Sequence, residues 1–272
     1  LLDDIEKILE LDLAKQDNEN LKLFEKNLSK LQEKIFFLKA DEPQEQTLFE
    51  ITEDNELNNA GDFRSKDCIE LLKLADIVVT NPPFSLFREY VAQLVEYDKK
   101  FLIIGNKNAI TYKETFSLIK ENKIWLGITS ANVFLKPNEN RTGFILTKQV
   151  NGLTRWFSNL THKKRNEILE TIHSYAKTPE KYPKYDNYDA INVDEINKIP
   201  MDYDGVMGVP ITFLDKHNPK QFEVVAKMTT TGIDEFNFGY PYINGKKTYA
   251  RILIRKIAEV DDLRKEEENK RS

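Results

Sequence analysis

Apolar residues recur at helical spacing from Leu1 to Leu38, at the start of the chain. The pattern breaks at residues 16 to 20 and ends before Pro43, which predicts two successive amphipathic helices. No glycine occurs in this stretch, so it contains no glycine-rich loop of the kind that holds phosphates. We interpret residues 1 to 46 as a helical N-terminal segment that packs on the rest of the chain or on a partner segment.

From residue 47 onward the pattern changes to alternating strands and helices. The runs at residues 76 to 80 (DIVVT) and 101 to 105 (FLIIG) are typical of strands that are buried on both faces of a parallel sheet. Further strands are predicted at residues 48 to 52 and 123 to 128, with helices at 67 to 74, 84 to 97 and 111 to 121. This order predicts an α/β fold with a doubly wound sheet, whose ligands bind beyond the carboxyl ends of the strands.

Beyond residue 141 the pattern is less regular and predicts a mixed α+β region. Residues 143 to 150 and 153 to 160 read as a hairpin that turns at Asn151-Gly152. The remaining predictions are a helix near residues 163 to 177, strands near 209 to 214 and 222 to 225, a turn at Asn244-Gly245 and a final strand near 249 to 257.

The sequence Asn81-Pro82-Pro83-Phe84 directly follows the run at residues 76 to 80. Its prolines stiffen the loop and donate no N–H, so the loop offers acceptors. The side-chain carbonyl of Asn81 and the backbone carbonyl of Pro82 can accept both hydrogens of an exocyclic amine, and Phe84 can stack on a planar ring. Two such acceptors would draw a delocalised amino nitrogen toward tetrahedral geometry, which suits its methylation. The alternative is a rigid turn between strand and helix.

A second candidate is Gly61-Asp62-Phe63, one helix and one strand upstream of Asn81. The Asp62 carboxylate can accept a hydrogen bond from the amino group of an adenine-containing cofactor, and Phe63 can pack on its ring. We favour cofactor binding because of the spacing to Asn81, although the motif alone is also typical of an ordinary turn.

The net charge of −5 argues against a nucleic-acid partner only as an average. Residues 1 to 60 carry −9 and residues 61 to 272 carry +4. A window from residue 141 to 165 contains no acidic residue, and we call its basic residues, with Trp156 between them, the basic stripe. They are Arg141, Lys148, Arg155, Lys163, Lys164 and Arg165. Such a stripe can bind DNA phosphates and stack on bases, or it can be a solvated surface.

Cysteine, histidine and hydropathy patterns narrow the class of protein further. The single Cys68 excludes an intramolecular disulfide and fits a cytoplasmic protein. The histidines, His162, His173 and His217, lack metal-ligand spacing, so we predict no metal site. The apolar runs are too short to cross a membrane, and acidic residues stand where a signal peptide needs basic ones, so we expect no membrane association.

Several of these segments resemble the EcoRI-type adenine-specific DNA methyltransferases of restriction–modification systems. The resemblance covers roughly residues 47 to 257 and includes GDFRSKDCIELLKLADIVVTNPPF, KKFLIIGNKNAITYKE, GLTRWF, DYDGVMGVPITFLDK and ARILIRK. It implies a Rossmann-like methyltransferase domain at residues 47 to 160 and a target-recognition region at 161 to 272. It also implies S-adenosylmethionine as methyl donor, and as partners double-stranded DNA with a flipped adenine and a cognate restriction endonuclease.

The resemblance also assigns roles to the two motifs. It implies that Asn81, Pro82 and Pro83 bind the target amine, that Phe84 stacks on the base, and that Asp62 and Phe63 contact the adenine of the cofactor. Adenine methyltransferases usually carry an earlier strand and turn that hold the methionine end of the cofactor. Because residues 1 to 46 read as helices, we expect that segment to lie before Leu1 or to be replaced.

Two other functions stay open at this point. A protein-glutamine N5 methyltransferase can use a similar loop, although the basic stripe and the long C-terminal region disfavour it. A non-catalytic DNA-binding module without a complete cofactor site is the other alternative. The tyrosines at 182, 185 and 188 could line a DNA cleft or pack, and the loop at residues 201 to 210 could approach the target base or form a tight turn.

Overall fold

The computed structural model describes residues 62–129, 133–137, 144–148, 153–258, 260, 262–264 and 269, with the backbone alone at 133–137 and 144–148. The helices predicted before residue 46 and the strand predicted at 48 to 52 lie outside this range. The chain divides into two compact units. The first unit is Leu1–Lys107 with Gly127–Leu160, and the second is Asn108–Leu126 with Thr161–Ser272.

The elements follow one another along the chain in a mixed α/β order. The helices are α1 (Lys66–Leu74), α2 (Phe87–Glu96), α3 (Lys113–Lys120) and α4 (Lys163–Asn166). The strands are β1 (Ile77–Thr80), β2 (Lys100–Asn106), β3 (Trp125–Leu126), β4 (Val133–Pro137), β5 (Phe144–Lys148), β6 (Thr154–Ser158), β7 (Ile191–Asn192), β8 (Met207–Pro210), β9 (Phe222–Met228), β10 (Ile233–Asp234), β11 (Asn237–Phe238), β12 (Tyr242–Ile243), β13 (Lys246–Lys247) and β14 (Arg251–Lys256). Among the described helices, none is long and apolar enough to cross a bilayer.

In the first unit a parallel pair and an antiparallel strand form one mixed sheet. β1 pairs in parallel with β2, and α2 makes the crossover between them. β6 then pairs antiparallel with β2, from Leu102 opposite Ser158 to Asn106 opposite Thr154. The sheet is therefore mixed, and the described part of the unit contains one parallel crossover.

Aromatic packing holds α2 against the strands of the first unit. The rings of Phe87 and Phe157 are 4.9 Å apart, and both side chains are almost fully buried. A Cβ atom at Gly105 would lie 2.4 Å from the Phe87 ring and 2.9 Å from the Phe157 ring. Only glycine fits between these rings, because a tightly packed aromatic core leaves no room for a methyl group.

The second unit is built on a six-stranded mixed sheet in the order β10-β11-β9-β14-β8-β7. β14 lies between β8 and β9 and pairs antiparallel with each. The edge-to-face contact of Phe213 and Phe222, with ring centroids 5.4 Å apart, lies in its fully buried core. β14 is accordingly buried from Arg251 to Ile254, as expected for a central strand.

The predictions that β1 is buried on both faces and that residues 143 to 160 form a hairpin are wrong. β1 is not buried on both faces, because Val79 is 54% exposed and β2 is its one partner among the described strands. Residues 143 to 160 do not form a hairpin, because β5 pairs with β4 and β6 pairs with β2. Buried polar contacts fix β6 on β2, since Ser158 Oγ donates to the Phe101 carbonyl at 2.7 Å.

The predicted helix at residues 163 to 177 ends at Asn166, after one turn. Beyond Asn166 the backbone is no longer helical, and side chains form the hydrogen bonds with its N–H and carbonyl groups. Asn218 Nδ2 donates to the carbonyls of Asn166 and Glu167, and Gln221 accepts from Leu169 N–H at 2.8 Å and donates to its carbonyl at 2.7 Å. The predicted strand at 209 to 214 likewise becomes β8 followed by a 3₁₀ helix (Ile211–Lys216).

Candidate functional site

A cavity of about 670 Å³ lies within the first unit, at the end of β1. Five residues predicted from the sequence line it, and they come from both motifs: Asp62, Phe63, Asn81, Pro82 and Pro83. The tertiary structure therefore brings the two motifs to one cavity, because α1 returns the chain from Phe63 to the start of β1. Phe84 is not among the lining residues. Its side chain is 38% exposed beside the loop.

The loop after β1 presents acceptors. The Pro83 carbonyl accepts a hydrogen bond from Leu86 N–H at 3.0 Å, which starts the 3₁₀ helix Phe84–Leu86. Pro82 is buried and Asn81 is exposed at the cavity. No described residue forms a hydrogen bond with the Asn81 side chain or the Pro82 carbonyl, so both can accept from a bound amine.

An ion pair organises the Asp62 end of the cavity. Asp62 Oδ1 accepts from Arg64 N–H at 2.9 Å and from Nε at 3.0 Å, and Oδ2 accepts from Nη2 at 2.7 Å. These bonds lower the pKa of Asp62 to about 2 and raise the pKa of Arg64. Arg64 Nη1 also contacts Glu89 Oε1 on α2 at 3.5 Å. Asp62 is therefore an ionised carboxylate that is held in one orientation.

Phe63 is held from two sides by α2. Its ring contacts Tyr90 edge to face with centroids 4.9 Å apart, and Gln93 Nε2 donates to its carbonyl at 3.0 Å. Partial burial raises the pKa of the Tyr90 hydroxyl above its ordinary value. The arrangement leaves Phe63 as a positioned aromatic wall of the cavity.

Helix capping explains why the chain turns at Phe63 and Arg64. Ser65 is the N-cap of α1, and its side chain accepts from Cys68 N–H at 3.2 Å. Ser65 N–H in turn donates to the Asp62 carbonyl at 3.0 Å. These bonds direct Asp62 and Phe63 toward the cavity and not along the helix.

Sequence reasoning missed several residues of the cavity wall. Tyr90 and Gln93 lie three positions apart, on the same side of α2, and only their helical spacing could have indicated a shared role. Cys68, for which the sequence predicted no role in a site, is partly exposed and lines the cavity. The other lining residues that were not predicted are mainly apolar: Leu71, Leu72, Ala75, Ile77, Val78, Val79, Thr80 and Leu86.

The basic stripe is distributed over both units. Arg155 and Trp156 lie on β6 of the first unit, while Lys163, Lys164 and Arg165 form α4 of the second. Arg141 and the side chain of Lys148 lie outside the described residues. Lys163 is exposed and Lys164 is partly exposed.

The prediction that Arg165 binds phosphate is wrong. The residue is only 7% exposed, its guanidinium lies 4.1 Å from the centre of the Trp125 ring, and Nη2 donates to Asn122 Oδ1 at 2.8 Å. Burial also lowers its pKa, to about 10. A guanidinium in these contacts packs the second unit and is not presented to a polyanion.

Tyr182 and Tyr185 pack in the second unit, and the loop at residues 201 to 210 contacts a neighbouring turn through Asp202. Tyr182 and Tyr185 are 5% exposed, and their hydroxyls donate to the Lys198 carbonyl at 2.9 Å and to Asn192 Oδ1 at 2.8 Å. Asp202 accepts from Ser174 Oγ at 2.6 Å, so it anchors a neighbouring turn.

Within the described residues, no group of three or more His, Cys, Asp or Glu side chains could hold a metal ion.

Comparison with known proteins places the chain in a family. Residues 4–257 match the family described as adenine-specific methyltransferase EcoRI. The type II methyltransferase M.EcoRI of Escherichia coli is 51% identical over 208 residues, which cover 72% of this chain and 62% of that protein. M.MgeORF184P of Mycoplasma genitalium is 40% identical over 74% of this chain and 70% of its own length. M.MpnI of Mycoplasma pneumoniae is 36% identical over 72% of this chain and 68% of its own length.

No solved protein structure matches this chain significantly. The chain spans less than two thirds of M.EcoRI, the first of these relatives. The family match extends over most of the sequence, and it includes both motifs that line the cavity. The chain therefore belongs to the EcoRI family of adenine-specific methyltransferases.

Proposed function

We propose that the protein containing this chain transfers a methyl group from S-adenosylmethionine to the N6 amino group of adenine in DNA. One observation carries the proposal: Asp62-Phe63 and Asn81-Pro82-Pro83, from two separate motifs, line a single cavity. The names of the relatives, all type II methyltransferases, support methylation. The proposal includes a Rossmann-like methyltransferase domain at residues 47 to 160 and a target-recognition region at 161 to 272.

The cavity has the size and chemistry to hold S-adenosylmethionine. Its volume of about 670 Å³ lies within the range of about 300–1,000 Å³ that is typical of small-ligand sites. Leu71, Ile77 and the Phe63 ring offer apolar walls for an adenine ring. A carboxylate has about four acceptor positions, and Arg64 occupies three at Asp62, so one is left for the amino group of the cofactor. When bound, the cofactor supplies the electrophilic methyl group.

The loop after β1 would hold the target amine. The side-chain carbonyl of Asn81 and the backbone carbonyl of Pro82 accept the two N6 hydrogens, which aims the nitrogen lone pair at the methyl donor. After the nitrogen has received the methyl group, it releases one of these hydrogens as a proton to solvent. Phe84, exposed beside the loop, stacks on the adenine after it has left the duplex.

The wider setting follows from the same family membership. We propose that the protein works in the cytoplasm on double-stranded DNA and that a restriction endonuclease of the same specificity accompanies it. Lys163 and Lys164 of α4 and Arg155 and Trp156 of β6 are our candidates for contacts to DNA, together with Arg141 and Lys148.

Methyl transfer from radiolabelled S-adenosylmethionine to genomic DNA tests the proposal, with the full-length protein that contains this chain. Asn81→Ala should lower the rate at least about 100-fold, as the loss of a charge-stabilising group does in other enzymes, while cofactor binding persists. Ser85→Ala is the matched control, since Ser85 is exposed in the 3₁₀ helix that follows the loop, and it should keep the wild-type rate. Absence of transfer by the wild type, or undiminished transfer by Asn81→Ala, would overturn the proposal.

A further inference from the structure

The sequence contains a second acid-free window, at residues 236 to 258. It includes five basic residues, Lys246, Lys247, Arg251, Arg255 and Lys256, and no Asp or Glu. Arg251 is 6% exposed, and the Lys256 side chain is 6% exposed. Lys246 and Lys247, in contrast, are exposed on β13. Arg255 is exposed as well, but it forms an ion pair with Glu223 at 3.6 Å. Lys246 and Lys247 are thus two adjacent exposed cations on one short β-ribbon.

This ribbon consists of β12 and β13 with the two-residue turn Asn244-Gly245, and we call it the basic ribbon. Tyr242 pairs with Lys247, and Ile243 pairs with Lys246. Both turn residues have positive φ, 51° at Asn244 and 73° at Gly245, as tight hairpin turns require. The ribbon is short, so its rigidity must come from elsewhere.

Two adjacent side chains of the second unit fasten the ribbon at both ends. The Asp186 carboxylate accepts from Asn244 N–H at 3.1 Å and from Gly245 N–H at 2.7 Å. Asn187 Nδ2 donates to the Tyr240 carbonyl at 3.1 Å, and its Oδ1 accepts from Tyr242 N–H at 3.3 Å. The ribbon is thus held in a defined position, which lowers the entropic cost of binding a partner.

The exposed side chains of the ribbon combine cations with aromatic rings. Lys247 Nζ lies 3.4 Å from the centre of the Tyr240 ring, which fixes its long side chain along the ribbon. Tyr249, two residues beyond β13, is 83% exposed, and Tyr242 is 38% exposed. The acidic residue in contact with the turn, Asp186, directs its carboxylate oxygens to backbone N–H groups.

We propose that the basic ribbon is a DNA-contacting element, in which Lys246 and Lys247 bind backbone phosphates and Tyr249 packs on exposed sugar and base surfaces. A two-stranded β-ribbon fits the major groove of B-DNA, and lysine with an exposed aromatic ring is the combination that nucleic acid binds. The inference rests on the proposed function, because it takes DNA as the substrate. It assigns a contact to residues outside the basic stripe.

Fluorescence anisotropy with a DNA duplex, measured on the full-length protein over a series of salt concentrations, tests the proposal. K246Q/K247Q should weaken binding and lower the slope of log affinity against log salt by about 2, since each phosphate contact contributes about 0.9. K216Q/K220Q is the matched control, because Lys216 and Lys220 are also exposed in the second unit, and it should keep the wild-type slope.

Substitutions of Tyr249 test the aromatic contact separately. Y249A should weaken DNA binding about fivefold or more, while Y249F keeps the ring and should stay within about twofold of the wild type. I233A is the matched control for loss of an exposed apolar group, as Ile233 is 79% exposed in the same unit, and it should bind DNA normally. Thermal melting of each variant verifies that the fold is retained.

The outcomes separate this inference from the proposed function. If the wild type binds and methylates DNA while K246Q/K247Q keeps the wild-type affinity and salt slope, the basic ribbon is not a DNA contact. If Y249A keeps wild-type affinity, the aromatic contact is refuted. If the wild type neither binds nor methylates DNA, the proposed function fails and the inference fails with it.

Discussion

Arg64 clamps the carboxylate of Asp62 through three hydrogen bonds, one from its backbone N–H at 2.9 Å and two from its guanidinium at 3.0 and 2.7 Å. The two residues are only two positions apart, and Asp62 lines the cavity. Asp62 thereby stays ionised and keeps a fixed direction. The position that Arg64 leaves open on this carboxylate determines where an amino group can bind.

Arg64→Gln should raise the pKa of Asp62 from about 2 toward its ordinary value of 3.8, because the charged donor that lowers it is lost. Carbon NMR of the Asp62 carboxyl through an acid titration measures the shift. A carboxylate with a lowered native pKa stabilises the fold above its unfolded pKa and loses that contribution as the pH falls. The effect on stability is small here, since the pair is exposed to solvent.

Glu89→Gln is the matched control for this titration, since it removes only the longer 3.5 Å contact to Arg64. The pKa of Asp62 should change less in Glu89→Gln than in Arg64→Gln. An Asp62 that titrates alike in the wild type and in Arg64→Gln would show that the clamp does not set its ionisation.

Gln93→Ala should weaken the binding of S-adenosylmethionine about two- to tenfold, because the Phe63 carbonyl loses its donor and the cavity wall loosens. The kcat at saturating cofactor should stay within about twofold, since Gln93 is not at the target amine. Calorimetric titration and initial rates measure the two effects.

Glu96→Ala serves as the control, because Glu96 is exposed on the same helix. Cofactor affinity should be unchanged in this variant. Equal affinity of Gln93→Ala and the wild type would mean that α2 does not position the cofactor wall.

Arg165→Gln should affect stability and Lys163→Gln should affect DNA binding, although the two residues are only two positions apart. Arg165→Gln should lower the free energy of unfolding by roughly 1–3 kcal/mol, because it removes a buried contact with Trp125 and a hydrogen bond to Asn122. Its DNA affinity should keep the wild-type salt dependence. Urea unfolding and DNA titrations at several salt concentrations measure both quantities.

Lys163→Gln should leave stability within about 0.5 kcal/mol of the wild type, since Lys163 is exposed. If α4 binds phosphate as we propose, its DNA salt slope should fall by about 1. A lower salt slope in Arg165→Gln, or a large loss of stability in Lys163→Gln, would contradict the assignment.

His217 should make the stability of the second unit depend on pH between about 6.5 and 4. Burial lowers its pKa from 6.5 to about 4, and its Nε2 lies 2.8 Å from the Phe222 carbonyl. Between these pH values His217 takes up a proton in the unfolded chain but not in the native protein. The free energy of unfolding therefore decreases as the pH falls, by up to about 3 kcal/mol. Urea unfolding at a series of pH values measures the loss.

His217→Gln keeps a donor for the Phe222 carbonyl but does not titrate, so its stability should vary less between pH 6.5 and 4. The exposed ion pair of Lys184 and Asp189 offers a control, because Lys184→Gln should keep the wild-type pH dependence in this range. Equal pH dependence in His217→Gln and the wild type would rule out His217 as the source.

Local patterns in the sequence were sufficient to predict the central α/β elements and to identify the two motifs. The β-branched run at residues 76 to 80 predicted β1, and the run at 101 to 105 predicted β2. Asn244-Gly245 predicted a turn, which joins β12 to β13. Such features depend on neighbouring residues, because side-chain period and the φ preference of glycine act over a few positions.

Long-range contacts decided what local patterns could not. β6 pairs with β2 and not with β5, and the buried Ser158 hydroxyl donates across this pair to the Phe101 carbonyl. Asn218 and Gln221, some 50 residues downstream, end the helix after Asn166.

The sequence by itself determined the family, the order of the central elements and the residues of both motifs, since these depend on residue identity and local spacing. Tertiary structure alone placed Tyr90 and Gln93 behind Phe63. It also buried Arg165 against Trp125 and left Tyr249 in solvent. The exposure of a side chain depends on which distant residues pack against it. The order of charged residues along a sequence does not contain this information.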